Sequence, residues 1–103
     1  MNELPLLTTL EKQIILVLGQ GLNEFHEVSR FTGQDIKYNL NRLNEKHNKQ
    51  CRSSIPYSTL KQLVRKSLLD TVTDERRTYY LLNDKGISWY HKAKEIEHHI
   101  FQP

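Results

Sequence analysis

Apolar residues recur with a helical period in five stretches of the chain and with a strand-like pattern in two. Leu10, Ile14, Ile15, Val17 and Leu18 mark the face of a first helix. Before them, Thr8-x-x-Glu11 has capping-box spacing with Leu7 at the staple position, and Gly19 and Gly21 end the run. Phe25, Val28 and Phe31 share a face over Glu24–Phe31, predicting a short second helix with Asn23 as N-cap and Gly33 as its stop. Ile36, Leu40, Leu43 and His47 fall on one stripe of a third helix, Asp35–His47, with polar residues elsewhere. Asn48–Ser54 has no period and reads as a loop. Pro56 suits the first turn of a fourth helix, Tyr57–Lys66, because a missing N–H costs nothing there. Leu60, Leu63 and Val64 are its buried stripe.

After Lys66 the period changes. Leu68–Thr73 and Thr78–Leu82 are β-prone and flank the charged run Asp74-Glu-Arg-Arg77, which predicts a hairpin. The connection has no glycine, so a four-residue loop is expected rather than a tight two-residue primed turn. Strand alternation sends one of Tyr79 and Tyr80 inward and the other outward. Asn83 is a good N-cap for a last helix, in which Ile87, Tyr90, Ala93, Ile96 and Ile100 recur at three- and four-residue steps. The expected class is mainly α with a small β-hairpin, an α+β fold.

Length and composition narrow this further. The 103 residues fit one domain, and 37% hydrophobic residues are enough for a core, which argues against disorder. The single cysteine, Cys51, makes no internal disulfide and reads as an unreactive loop thiol. Met1–Leu10 lacks the basic stretch and apolar core of a signal peptide, and Ile14–Leu18 is far too short to span a membrane. A cytoplasmic protein is expected. The net charge of +3 is unevenly spread: residues 1–34 carry −2, residues 35–67 carry +6 and residues 68–103 carry −1. A basic middle third is the footprint of a polyanion-facing surface.

One unit carries more specific information. Ser58-Thr-Leu-Lys-Gln-Leu-Val-Arg-Lys-Ser-Leu-Leu69, then Asp74-Glu-Arg-Arg-Thr-Tyr-Tyr80, then Leu82-Asn-Asp-Lys-Gly86 resembles PadR-like and MarR-like regulators of the winged-helix superfamily. In that pattern a helix ends just before a Gly-Leu pair, a basic wing and an aromatic strand follow, and a Leu-Thr-x-x-Gly segment opens the next helix. Ser67 stands where glycine is usual and Asn83 where threonine is usual. The resemblance covers about residues 56–90 and is weaker over 22–55, where an extra helix is expected before the recognition helix. It implies a winged helix-turn-helix with a long C-terminal helix: a single domain, 1–103, with core and wing over about 8–82 and the last helix over 83–101.

What the resemblance implies also makes chemical sense. The fourth helix becomes the recognition helix. Tyr57, Ser58, Thr59, Lys61 and Gln62 have side chains suited to base edges: Lys to guanine, Gln to adenine, Thr to a thymine methyl. Arg65 and Lys66 suit phosphates, as do Arg76 and Arg77 at the wing tip, which also suit a minor groove. The free N–H groups near Pro56 suit a phosphate. Lys37, Arg42, Lys46 and Arg52 belong to the same basic block as further backbone contacts. In a competing assignment, Glu27–Leu43 is itself a helix-turn-helix with Gly33 in the turn and Lys37, Tyr38, Asn41 and Arg42 as readers.

The stripe of the last helix is longer than one small core requires. Trp89, Tyr90, Ala93, Ile96, Ile100 and Phe101 are therefore expected at the interface of a homodimer. His91, Glu95 and His98 share a helix face, but without a His-Glu-x-x-His or Cys-x-x-Cys pattern they read as a solvated face rather than a zinc site. No phosphate loop, nucleophile elbow or apolar-held carboxylate pair suggests an enzyme, a cofactor or a small-molecule ligand. The expected function is a nucleoid-associated, sequence-specific regulator of transcription that binds double-stranded DNA. A repressor of the compact kind carried by viruses or plasmids fits its size. The alternative is a winged-helix protein–protein interaction module in a larger assembly.

Overall fold

The computed structural model describes residues 6–22, 29–47, 54–97 and 100. The capping box forms as its spacing predicts: the Glu11 amide donates to Thr8 Oγ1 at 3.2 Å, and the Thr8 amide donates to Glu11 Oε1 at 2.9 Å. Helix α1 (Thr9–Gly19) follows, buried continuously from Ile14 to Gly19. A helix buried on every side is the centre of its fold. The other helices and the second strand pack around it.

Between α1 and the next helix the structure departs from the helical reading. Phe31 is not the end of a helix. Its backbone pairs with Tyr80, through N–H···O bonds of 2.9 and 2.7 Å in the two directions. The rest of the expected helix, Glu24–Val28, lies outside the described residues. Nor does Gly33 stop a helix: it begins α2 (Gly33–Lys46), because Thr32 and Asp35 form a second capping box. Residues 29–32 are therefore not helical, and Gly33 is not in a turn, so the rival helix-turn-helix over Glu27–Leu43 lacks that geometry. Three members of the predicted stripe, Ile36, Leu40 and Leu43, are buried against α1, and the fourth, His47, is the half-buried C-cap just past the helix.

Helix α3 (Tyr57–Arg65) buries Leu60 and Leu63 and ends in a Schellman motif. The Leu68 amide donates to the Leu63 carbonyl at 3.1 Å, and the Ser67 amide donates to the Val64 carbonyl at 3.0 Å. Ser67 takes the left-handed conformation, φ 62°, that the motif requires. Leu68 and Leu63 are both fully buried, supplying the motif's apolar contact. The chain enters β1 (Leu69–Asp74) at once and returns in β2 (Arg77–Leu82), antiparallel, with Asp74 opposite Arg77.

That register leaves only Glu75 and Arg76 in the turn, and the looser four-residue loop does not occur. Both residues have positive φ, 47° and 70°, as a type I′ turn demands. The right-handed twist of paired strands selects this turn over the unprimed types, and here it does so without glycine. Phe31 adds a one-residue third strand beside β2.

Asn83 caps α4 (Asp84–Glu95), its Oδ1 accepting from the Gly86 amide at 2.9 Å. A Cβ on Gly86 would lie 2.2 Å from the Leu68 carbonyl oxygen, so only glycine lets α4 start against the end of α3. As a continuous helix α4 runs to Glu95; Ile96 is a non-helical cap, after which Glu97 and Ile100 are helical, the Ile100 amide donating to the Ile96 carbonyl at 3.2 Å. Trp89, Ala93 and Ile100 close the core, and the Tyr90 ring packs on Gly19 of α1. Among the described residues the order helix, one-residue strand, helix, helix, hairpin and helix makes a winged helix.

Candidate nucleic-acid interface

Among the helices of the described residues, α3 is the one whose first turn no side chain caps; Pro56 stands at its N-cap position. Tyr57 (61% exposed), Ser58, Lys61, Gln62 and Arg65 lie outward, and Thr59 is half-buried. The close start of α2 against α3 brings further groups to this end. Gly33 lies so near Tyr57 and Ile55 that a Cβ would come within 2.8 Å of Ile55 Cγ2 and 3.2 Å of Tyr57 Cε1. The hairpin completes a groove of about 590 Å³, bounded by Thr32–Asp35 at the N-cap and first turn of α2, by Tyr57, and by Arg76–Thr78 and Tyr80 of the wing. Three of the residues named from sequence, Tyr57, Arg76 and Arg77, thus share one concavity. A shallower dent on the other side of the α3 N-terminus joins Ser58, Thr59 and Gln62 to Thr8 and Glu11.

Tyr79 and Tyr80 divide as alternation requires. Tyr80 lines the groove, and burial together with the nearby Tyr57 phenol raises its pKa above the usual tyrosine range. Tyr79 lies on the other face, where the Arg30 guanidinium stacks 4.5 Å from its ring centroid. Arg30 also lies 3.9 Å from the Asp74 carboxylate. Asp74 therefore has a cation of its own, and less of the wing's acidic charge faces Arg76 and Arg77. Both partners are about half exposed, so this pair orients more than it stabilises. Arg30 was not legible as a wing residue, because a helical reading of its segment conceals a strand one residue long.

Lys66 is placed differently from its helix neighbours. Its Nζ donates to Glu11 Oε1 at 2.8 Å and to the Leu6 carbonyl at 3.1 Å. Burial opposes the ionised form of Glu11, but hydrogen bonds from Lys66 and Thr8 and the Lys66 charge outweigh it, and the carboxyl is held below its ordinary range.

The α2 cations lie elsewhere. Lys37 is half-buried, Arg42 stacks 5.8 Å from the Tyr38 ring centroid, and Lys46 lies 3.7 Å from Glu97. Arg52 is outside the described residues. Of the residues expected at a dimer interface, Trp89, Ala93 and Ile100 are buried within the chain, Tyr90 is half-buried, and Ile96 is 37% exposed. Phe101 lies outside the described residues, as does His98 of the His91–Glu95–His98 set. Among the described residues, no helix is long and apolar enough to cross a membrane.

No family model matches the chain, and no curated protein matches it. Solved structures do. RosR of H. salinarum, grown from NaBr, is 25% identical, with 92% of this chain and 77% of that chain covered and a TM-score of 0.66. A RosR complex structure designated RosR-S4 is 26% identical, with 88% and 70% covered and a TM-score of 0.64. TubR, of type III plasmid segregation, is 16% identical, with 91% and 92% covered and a TM-score of 0.53, a likeness of fold alone.

Proposed function

We propose that the chain is a transcription regulator that binds double-stranded DNA, with α3 in the major groove and the Glu75–Arg76 turn on the backbone or in the minor groove. One observation carries this reading: Tyr57, exposed at an α3 N-terminus that no side chain caps, shares a groove with both wing arginines. Uncapped amides and flanking guanidinium groups suit a phosphodiester, and the outward polar side chains of the first two turns suit base edges. Lys61 and Arg65, both exposed, extend the cationic surface along the helix. The likeness to RosR supports a regulator of this fold. The residues shared with PadR-like and MarR-like regulators support the same assignment of helix and wing. Repression, and a role in binding rather than catalysis, belong to the proposal.

The proposal includes a homodimer, which would present two α3 helices to half-sites about one duplex turn apart. Of the residues expected at its interface, Ile96, exposed at the end of α4, is the contact that supports it. Light scattering at micromolar concentration should return about twice the chain mass of 12.2 kDa; a monomer mass refutes this part.

The deciding experiment is retention of a mixed-sequence duplex as salt rises. About five phosphate contacts give a log–log slope near −4 to −5. Lys61→Glu with Arg65→Glu should abolish binding in a folded protein, and Lys37→Glu with Arg42→Glu should not. A flat salt response overturns the DNA reading in favour of a protein-binding module. The opposite pattern of charge reversals moves the reading surface to α2.

A further inference from the structure

Glu11 is only 2% exposed, although a capping-box carboxylate can do its work at the surface. Its Oε1 accepts from two donors in different parts of the chain, the Thr8 amide at 2.9 Å and the Lys66 ammonium at 2.8 Å. Its Oε2 is buried without a hydrogen-bond partner. Lys66 is the C-cap of α3. One carboxylate therefore ties the first turn of α1 to the last turn of α3 across 55 positions of sequence. Within α3 itself the other buried groups are apolar, Leu60 and Leu63 with half-buried Val64 beside them, and the polar bonds from Asn83 reach only the Ser67 and Leu68 carbonyls beyond its end. Apolar burial is non-directional and tolerates rotation of a helix about its axis, whereas a charge-assisted hydrogen bond of this length does not. A buried carboxylate also needs its cation, so the geometry punishes any rotation that separates the two.

Resting on the DNA reading of α3, we propose that Glu11 is a positioning residue. Its ion pair with Lys66 sets the rotation of α3, and Lys66 is withheld from the phosphates that Lys61 and Arg65 face. The basic residues of the helix thus divide by task, and a residue of α1 governs affinity without touching DNA.

The test uses the full chain and a short mixed-sequence duplex, followed by fluorescence anisotropy across a salt series. Arg65→Ala should reduce the magnitude of the salt slope by about 0.9, the loss of one phosphate contact. Lys66→Met should leave the slope unchanged. Lys66→Met and Glu11→Gln should each weaken binding by about tenfold at fixed salt, and the double variant should be no weaker than the worse single one, since the pair acts as a unit. Lys66→Arg retains a cation opposite Glu11 and should restore most of the affinity, which guards against variants that fail to fold. A slope loss of about 0.9 in Lys66→Met, or unchanged affinity in folded Glu11→Gln, overturns the proposal. If the wild-type chain does not bind the duplex, the DNA reading fails by itself. The positioning claim is then read from amide exchange over Leu60–Leu68, which Glu11→Gln must accelerate; unchanged exchange overturns it.

Discussion

Ser67→Gly should stabilise the protein. Ser67 sits at φ 62°, in the left-handed region, where the Schellman motif at the end of α3 forces it. A non-glycine residue there costs about 1–2 kcal/mol in crowding between Cβ and the backbone. Glycine removes that cost but gives back about 0.4–1 kcal/mol through the greater freedom of the unfolded chain. The other contacts at this junction survive the change. The Ser67 carbonyl still accepts from Asn83 Nδ2 at 2.7 Å, and the Leu68 amide still reaches the Leu63 carbonyl. The net gain is about 0.5–1 kcal/mol, which for a domain of this size raises Tm by roughly 2–5 °C. Thermal unfolding followed by far-UV circular dichroism measures it directly. Ser67→Val, β-branched at the same φ, should lower Tm. Duplex binding should be the same in Ser67→Gly as in wild type, since no charge or α3 contact changes. An unchanged or lowered Tm in Ser67→Gly would refute the argument that the serine is strained.

Gly86→Ala should cost several kcal/mol, about 3 by analogy with overpacked cores, because its Cβ would meet the Leu68 carbonyl at 2.2 Å; a Tm within a degree or two of wild type would contradict this packing of α4. Glu75→Asn with Arg76→Gly installs the preferred type I′ pair at φ 47° and 70° and should raise stability by about 1 kcal/mol in chemical denaturation. The same variant should shrink the salt slope of duplex binding by about 0.9 if Arg76 meets a phosphate, so stability and affinity move in opposite directions. Acid should destabilise the fold through two carboxylates. Burial opposes their ionisation, but Lys66 and Thr8 hold Glu11, and Lys94, Lys46 and His47 hold Glu97, below the ordinary value of 4.5. A folded value below the unfolded one gives stability that is complete above about pH 4.5 and is lost as pH falls through the folded values. Tm should therefore hold from neutrality to about pH 5 and then drop, less steeply in Glu11→Gln; an equally steep drop in that variant would remove Glu11 from the account.

What the chain alone determines is local. The Thr8–Glu11 capping box, the Ile36–Leu40–Leu43 stripe, the buried Leu60 and Leu63 and the Asn83 cap all lie within four residues of the groups they organise, and each occurs where its spacing predicts. The resemblance at Gly86, and the position where Ser67 replaces the usual glycine, also have a local cause: both shape the junctions by which α3 enters the hairpin and the hairpin enters α4. Pairing partners distant in sequence were not legible. Phe31 has a helical apolar spacing but pairs with Tyr80, because β2 offers it an open edge once folded. The wing turn lacks the glycine its shape prefers, because register along six residue pairs imposes the shape from the strands. Lys66 reads as one more cation of a basic block, and only the meeting of α1 with α3 hands it to Glu11. Arg30, likewise, joins the wing only through Asp74 and Tyr79. Periodicity and caps are written in neighbours three and four residues apart, whereas the task of each cation at this surface depends on which elements the core brings together.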